Sequence, residues 1–357
     1  MGTDQWQRPD EGTPDPAGPT GWGQPQPGPT GAPPPAWDRP SAPRPGIVPL
    51  RPLGLGEIWD GAFRAFRQNP RVMVGLSAIV VVITSVVTLV ASYVTTRDLV
   101  GAMNRFEAAD GSFDDLFSSV QRGVPLLLFS TVLQSVAVLV LNGMLIVSVS
   151  RAVLGRTIGF GELWRTCARR ILPLVGLSLV ITLGTLVVGA VALAPGALLV
   201  WQADSTTVTG IGVAALLLGL LAWLVVGAFL WVKWSMATPA MLLEDLGIRA
   251  ALTRSYRLTA RTFWRTFGIL LLTAVVVYAV VAAVSVPFSA VGQVVAVAVG
   301  DTGTWGLALS QTVSTLGSVI GSVVAYPFLA SVTALVYVDL RMRREGLDVE
   351  LHRASGR

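Results

Sequence analysis

The chain has 357 residues, 52% of them apolar and only 13% charged, with a net charge of +5. A soluble domain carries about 25% charged residues, so a water-solvated globule is excluded as the main body. The basic residues are arginine apart from Lys233, a composition expected of a GC-rich bacterial source, and the single Cys167 excludes an intrachain disulfide or thiolate cluster.

Residues 1–46 are a low-complexity arm rich in Pro, Gly, Gln and Thr, as in Pro33-Pro34-Pro35, with Trp6, Trp22 and Trp37 spaced along it. Such a segment cannot build a core, and disorder is expected. It reads as a solvated tail or as a docking arm for a protein partner. Met1–Arg44 lacks the basic-then-apolar layout of a cleaved signal, so the first span is expected to serve as an uncleaved anchor.

From Leu55 to Phe66 the apolar residues Leu55, Ile58, Trp59, Ala62, Phe63 and Phe66 follow helical spacing, with Glu57, Asp60, Arg64 and Arg67 on the other face. This predicts a short amphipathic helix lying in the interface and ended by Asn69-Pro70. A similar pattern returns at Phe160, Leu163, Trp164, Cys167, Ala168 and Ile171, and again at Ile248, Ala251, Leu252 and Tyr256. Each copy precedes a pair of apolar runs. Three repeats of interfacial helix plus hairpin are therefore expected, near 55–150, 160–238 and 248–340.

Those runs are Val72–Thr96, Gly123–Ser150, Ile171–Ala203, Ser205–Val232, Thr266–Gly300 and Thr302–Val338, none with an Asp, Glu, Lys, Arg or His. About 20 apolar residues suffice to cross a hydrocarbon core, so six spanning helices are predicted. The later runs exceed that length and must tilt, kink or protrude, with kink sites at Pro195, Pro287 and Pro327. Gly317, Gly321 and Ala325 form a small-residue stripe suited to packing within the chain. Most basic residues cluster beside alternate connections, which places both termini and the tail 341–357 in the cytoplasm of a bacterial cell membrane.

Chemistry-bearing residues are scarce. His352 is the only histidine and no apolar run holds a carboxylate, so no catalytic, cofactor-binding or metal-ligating residue is assigned. Gln134, Asn142, Gln293 and Gln311 fall in or near spans, and Lys233 is expected to snorkel to the headgroups. Arg64, Arg169 and Arg257 are candidate contacts for anionic lipid, although topology alone also calls for such arginines. Trp59 and Trp164 are the expected interfacial anchors, with buried rings and wet indole N–H groups.

The string Pro49-Leu-Arg-Pro-Leu-Gly-Leu-Gly-Glu-Ile-Trp-Asp-Gly-Ala-Phe63 resembles the opening of a family of actinobacterial membrane proteins of unknown function. Lys233-Trp234-Ser235 through Pro239-Ala240, with Glu244 and Gly247 to Arg257, resembles their central segment. Pro327-Phe-Leu-Ala330, followed by Tyr337, Asp339, Arg341, Arg343, Arg344, Glu345, Gly346 and Leu347, resembles their closing segment. The group is similar to the membrane domain of glycerophosphoryl diester phosphodiesterases, and more loosely to YciC-type inner-membrane proteins. The resemblance implies a six-helix membrane domain, and no catalytic residue carries over because the phosphodiesterase barrel is absent.

The sequence thus predicts an all-α polytopic bundle of six transmembrane helices with interfacial helices, spanning 47–340. The expected function is non-enzymatic organisation of lipids or protein partners, with membrane lipids as partners, no nucleic acid and no cofactor. The alternative is a transporter or channel for a small or lipid-like solute. Uptake or conductance in proteoliposomes, or a continuous polar cavity at mid-bilayer, discriminates the two.

Overall fold

The computed structural model describes residues 52–108, 111–153, 159–202, 205–298 and 304–345. The arm and most of the tail lie outside these residues, and so do the expectations placed on them. Nine helices are present among the described residues: α1 Leu55–Gln68, α2 Pro70–Glu107, α3 Phe113–Val153, α4 Phe160–Trp201, α5 Thr206–Trp234, α6 Ala237–Leu243, α7 Ile248–Thr259, α8 Phe263–Ala298 and α9 Thr304–Glu345. Six helical stretches are long and apolar enough to span a bilayer: α2, α3, α4, α5 running on through α6, α8 and α9. With the wholly helical architecture, this makes the chain a multi-pass membrane protein.

Helix α9 is the hub. It packs along α8 and α2 and also meets α1, α3, α6 and α7. Gly317 and Gly321 of the small-residue stripe form the α8 seam: a Cβ on Gly317 would lie 2.7 Å from Cβ of Phe288, and one on Gly321 would lie 3.0 Å from Cα of Val281. The α4–α5 hairpin uses the same device. A Cβ on Gly219 would meet the carbonyl oxygen of Ala192 at 2.2 Å, so the two backbones touch.

The three amphipathic segments begin alike. Gly54, Gly159 and Gly247 cap α1, α4 and α7 in extended conformation, with φ/ψ of −81/168, −81/161 and −75/167. The residues buried after each cap fall at matching offsets: Ile58, Ala62 and Ala65; Leu163 and Cys167; Ala251, Ser255 and Leu258. The segments end differently. Asn69-Pro70 separates α1 from α2, whereas buried Leu174 stands where Asn69 would fall, and the second segment runs on into its span as α4.

Between α5 and α6 the helix breaks at Ser235 and Met236, which strands backbone groups in the interior. Ser255 of α7 satisfies both sides: its hydroxyl donates to the Lys233 carbonyl at 2.6 Å and accepts from the Met236 N–H at 3.1 Å. Lys233 itself does not snorkel. Its side chain is buried, with Nζ 4.4 Å from the Tyr256 ring centroid and 5.5 and 5.6 Å from Phe229 and Phe263. Helix α7 carries Tyr256 against this lysine, and cation–π contact replaces the expected headgroup contact.

Candidate functional site

Three helices contribute polar stripes to one cavity. On α2, Ser85, Thr88 and Ser92 recur at helical spacing. On α3 the set is Ser130, Thr131, Gln134 and Ser135. On α9 it is Ser314, Thr315, Ser318, Ser322 and Tyr326. Each stripe lies on one helix face, since positions three, four and eight apart align. Together they line an open cavity of about 450 Å³, and Val81 and Leu89 are the apolar members of the lining. Thr88, Thr131 and Ser318 are exposed and mark the mouth.

The depth follows from helix geometry. At ~1.5 Å per residue, Tyr326 is about 20 Å and Ser314 about 38 Å along α9 from Asp339. The cavity therefore begins within the spans and runs away from the α9 C-terminus toward their opposite ends, the ~30 Å of a hydrocarbon core lying between the two distances. Toward that C-terminus it meets an apolar seal. Tyr326 packs on a cluster that includes Met73, Leu76, Leu141, Met144, Leu145 and Tyr337.

Below the seal, ion pairs fasten the end of α9. The buried Asp339 carboxylate accepts from the Leu53 N–H at 2.8 Å, from Arg343 Nε at 2.9 Å and from Arg265 of α8. Both arginines also donate to the Leu53 carbonyl, at 2.8 and 3.0 Å. A second cluster centres on Glu244, which accepts from Arg254 Nε at 2.8 Å and from the Tyr337 hydroxyl, with Arg341 at 3.5 Å. Arg254 also pairs with Glu345, and Arg344 donates to the Arg257 carbonyl. Burial alone would raise the Glu244 carboxyl, but hydrogen bonds from Arg254 and Tyr337 and the nearby Arg charges outweigh it and hold the group below its ordinary value. Arg254 is correspondingly raised, chiefly by its hydrogen bond to Glu244.

The sequence-derived lipid contacts are not gathered into one site. Arg64 is exposed on α1 and paired with Asp60 at 2.7 Å. Arg169 lines an open cleft of about 580 Å³ on α4 with Arg165, Glu162 and Thr166. Arg257 lines another, of about 520 Å³, with Arg249 and Arg254. The two tryptophans also differ. Trp59 is half-buried, its indole N–H donates to Thr273 Oγ1 at 3.3 Å and its ring stands edge-on to Phe328, so that N–H is occupied rather than wet. Trp164 is 49% exposed.

Of the four amides noted in the sequence, Gln134 lines the cavity and Gln311 sits beside it, accepting from Ser92 at 3.2 Å. Asn142 and Gln293 do not line it. The cavity itself escaped sequence reasoning because hydroxyl residues are unremarkable singly. The available signal was their spacing, as in Ser314, Ser318 and Ser322 at intervals of four on a span without charge.

Residues 209–355 are similar to the family described as the membrane domain of glycerophosphoryl diester phosphodiesterase. That match takes in α6 to α9 and both ion-pair clusters apart from Leu53; α2 and α3, which form two walls of the cavity, precede it. No curated protein and no solved structure matches the chain.

Proposed function

We propose that this chain is a non-enzymatic integral membrane protein that binds a small polar solute between α2, α3 and α9 and conducts it across the membrane. One observation carries the reading: hydrogen-bonding side chains from three spans converge on one cavity inside otherwise apolar helices. Polar groups at bilayer depth are costly and tend to mark solute paths. The lining offers hydroxyls and an amide but no carboxylate, imidazole or thiol to move a proton, which favours binding over catalysis. No hydrolysis is carried over from the phosphodiesterase in the matched family's name.

The matched caps and buried offsets of α1, α4 and α7 support a threefold repeat of amphipathic segment plus hairpin. The basic connections support cytoplasmic termini in a bacterial cell membrane. Uptake of radiolabelled solutes into proteoliposomes tests the transport reading. Saturable uptake lost on Ser318→Leu, which fills the mouth, is the expected result. No uptake of any polar solute, with protein correctly inserted, overturns it.

The open arginine clefts at Arg249, Arg254 and Arg257 and at Arg165 and Arg169 favour a second reading, organisation of anionic lipids at the interface. Enrichment of anionic lipid around the purified protein, lost on Arg249→Gln with Arg257→Gln, is its test.

A further inference from the structure

The hydrogen bonds already made within the cavity wall specify what the wall still lacks. Ser130, Ser135, Ser314, Thr315 and Ser318 each donate to a carbonyl three or four residues back on their own helix, at 2.7 to 3.2 Å. Thr131 does the same at 2.8 Å. Their hydrogens are committed, so these side chains offer the cavity only oxygen lone pairs. Ser85, Thr88, Ser322 and Tyr326 line the same space and make no hydrogen bond among the described residues. Their hydroxyls are free to rotate and to donate or accept. Gln134 adds a buried amide oxygen with no partner. A buried oxygen of this kind is costly until something polar reaches it, and the half-buried hydroxyls beside it gain from the same partner.

We infer that the cavity takes an uncharged polyhydroxylated solute, a polyol or a sugar. The inference rests on the solute-binding reading above and names its ligand class. Each hydroxyl of a polyol donates once and accepts in return, which matches a wall of fixed acceptors interspersed with free rotors. The lining holds no Asp, Glu, Lys, Arg or His. A charged solute at this depth would have no counter-ion, and desolvation would weigh against it. An anion is the worst fit, because the committed hydroxyls turn lone pairs toward it. A volume of about 450 Å³ falls within the ~300–1,000 Å³ of small-molecule pockets.

The test uses the full chain in nanodiscs, titrated by calorimetry with mannitol, glucose, choline chloride, sodium chloride and inorganic phosphate. The expected result is saturable binding of mannitol or glucose, no competition from the three ionic probes, and at least tenfold weaker binding in Ser85→Ala with Ser322→Ala. Ser318→Cys in a Cys167→Ala background, labelled by a water-soluble maleimide, reports independently whether the cavity is reached from water. Choline, sodium or phosphate binding without polyol binding overturns the ligand class and leaves a polar solute site standing. Labelling of Ser318→Cys with no probe bound also overturns the class. Failure of both labelling and binding overturns the solute site itself.

Discussion

Asp339 on α9 accepts the backbone N–H of Leu53 at 2.8 Å across 286 positions of sequence, and Arg265 and Arg343 close the circuit onto the Leu53 carbonyl. The segment leading into α1 is thereby tied to the far end of the chain by an aspartate with no exposed surface. Removing the carboxylate strands the Leu53 N–H, while the two arginines keep about a third of their surface in contact with solvent, so the cost is about 1–3 kcal/mol. Asp339→Ala should lower stability by that order, read as an earlier thermal unfolding transition in detergent. Arg265→Lys, which loses the two-pronged contact, should have a smaller effect in the same direction. An unchanged transition in Asp339→Ala would show that the tie contributes little.

The Glu244 cluster should respond to acid. The folded-state carboxyl is depressed, so its stabilisation is present above the unfolded value of 4.5 and disappears as pH falls through the lower folded value. Wild-type protein should therefore lose more thermal stability than Glu244→Gln as pH drops below about 4.5. Parallel pH profiles for the two would assign the acid response elsewhere.

Ser255 bridges the break between α5 and α6 with one hydroxyl. Ser255→Ala strands a carbonyl and an N–H in a buried setting, a loss of about 1–3 kcal/mol. Hydrogen exchange of the Met236 amide should quicken more than that of amides in the middle of α9. Uniform change across both helices would contradict a local clasp.

At Gly219 a methyl group would collide with the Ala192 backbone, which cannot yield as a flexible side chain does. Gly219→Ala should spread the α4–α5 hairpin and destabilise it by about 1–3 kcal/mol. Gly227→Ala, with nothing within 4 Å of the added carbon, is the control and should be neutral. Equal thermal shifts in the two variants would rule out close backbone packing.

Topology is testable by reporter fusions. Fusions after Arg71, Arg257 and Arg344 should all report cytoplasm, and one near Asp110 the exterior. An exterior signal at Arg257 alone would break the arrangement of six spans.

Some of this molecule was determined by its sequence alone. Uncharged runs such as Val72–Thr96 leave a backbone in lipid no course but helix, because no water satisfies its polar groups. Asn69-Pro70 ends α1 through local sterics, and the glycine stripe of α9 anticipates close packing. The site was another matter. A serine stripe on an isolated span reads the same whether it faces lipid, a neighbouring helix or a cavity. Only the approach of α2, α3 and α9 turned three stripes into one open cavity. The ionic residues behaved likewise. Asp339, Arg265 and Glu244 look like ordinary juxtamembrane charges along the chain, and tertiary packing made them interior ties. Helical periodicity fixes which residues share a face, whereas what that face meets depends on contacts hundreds of positions apart.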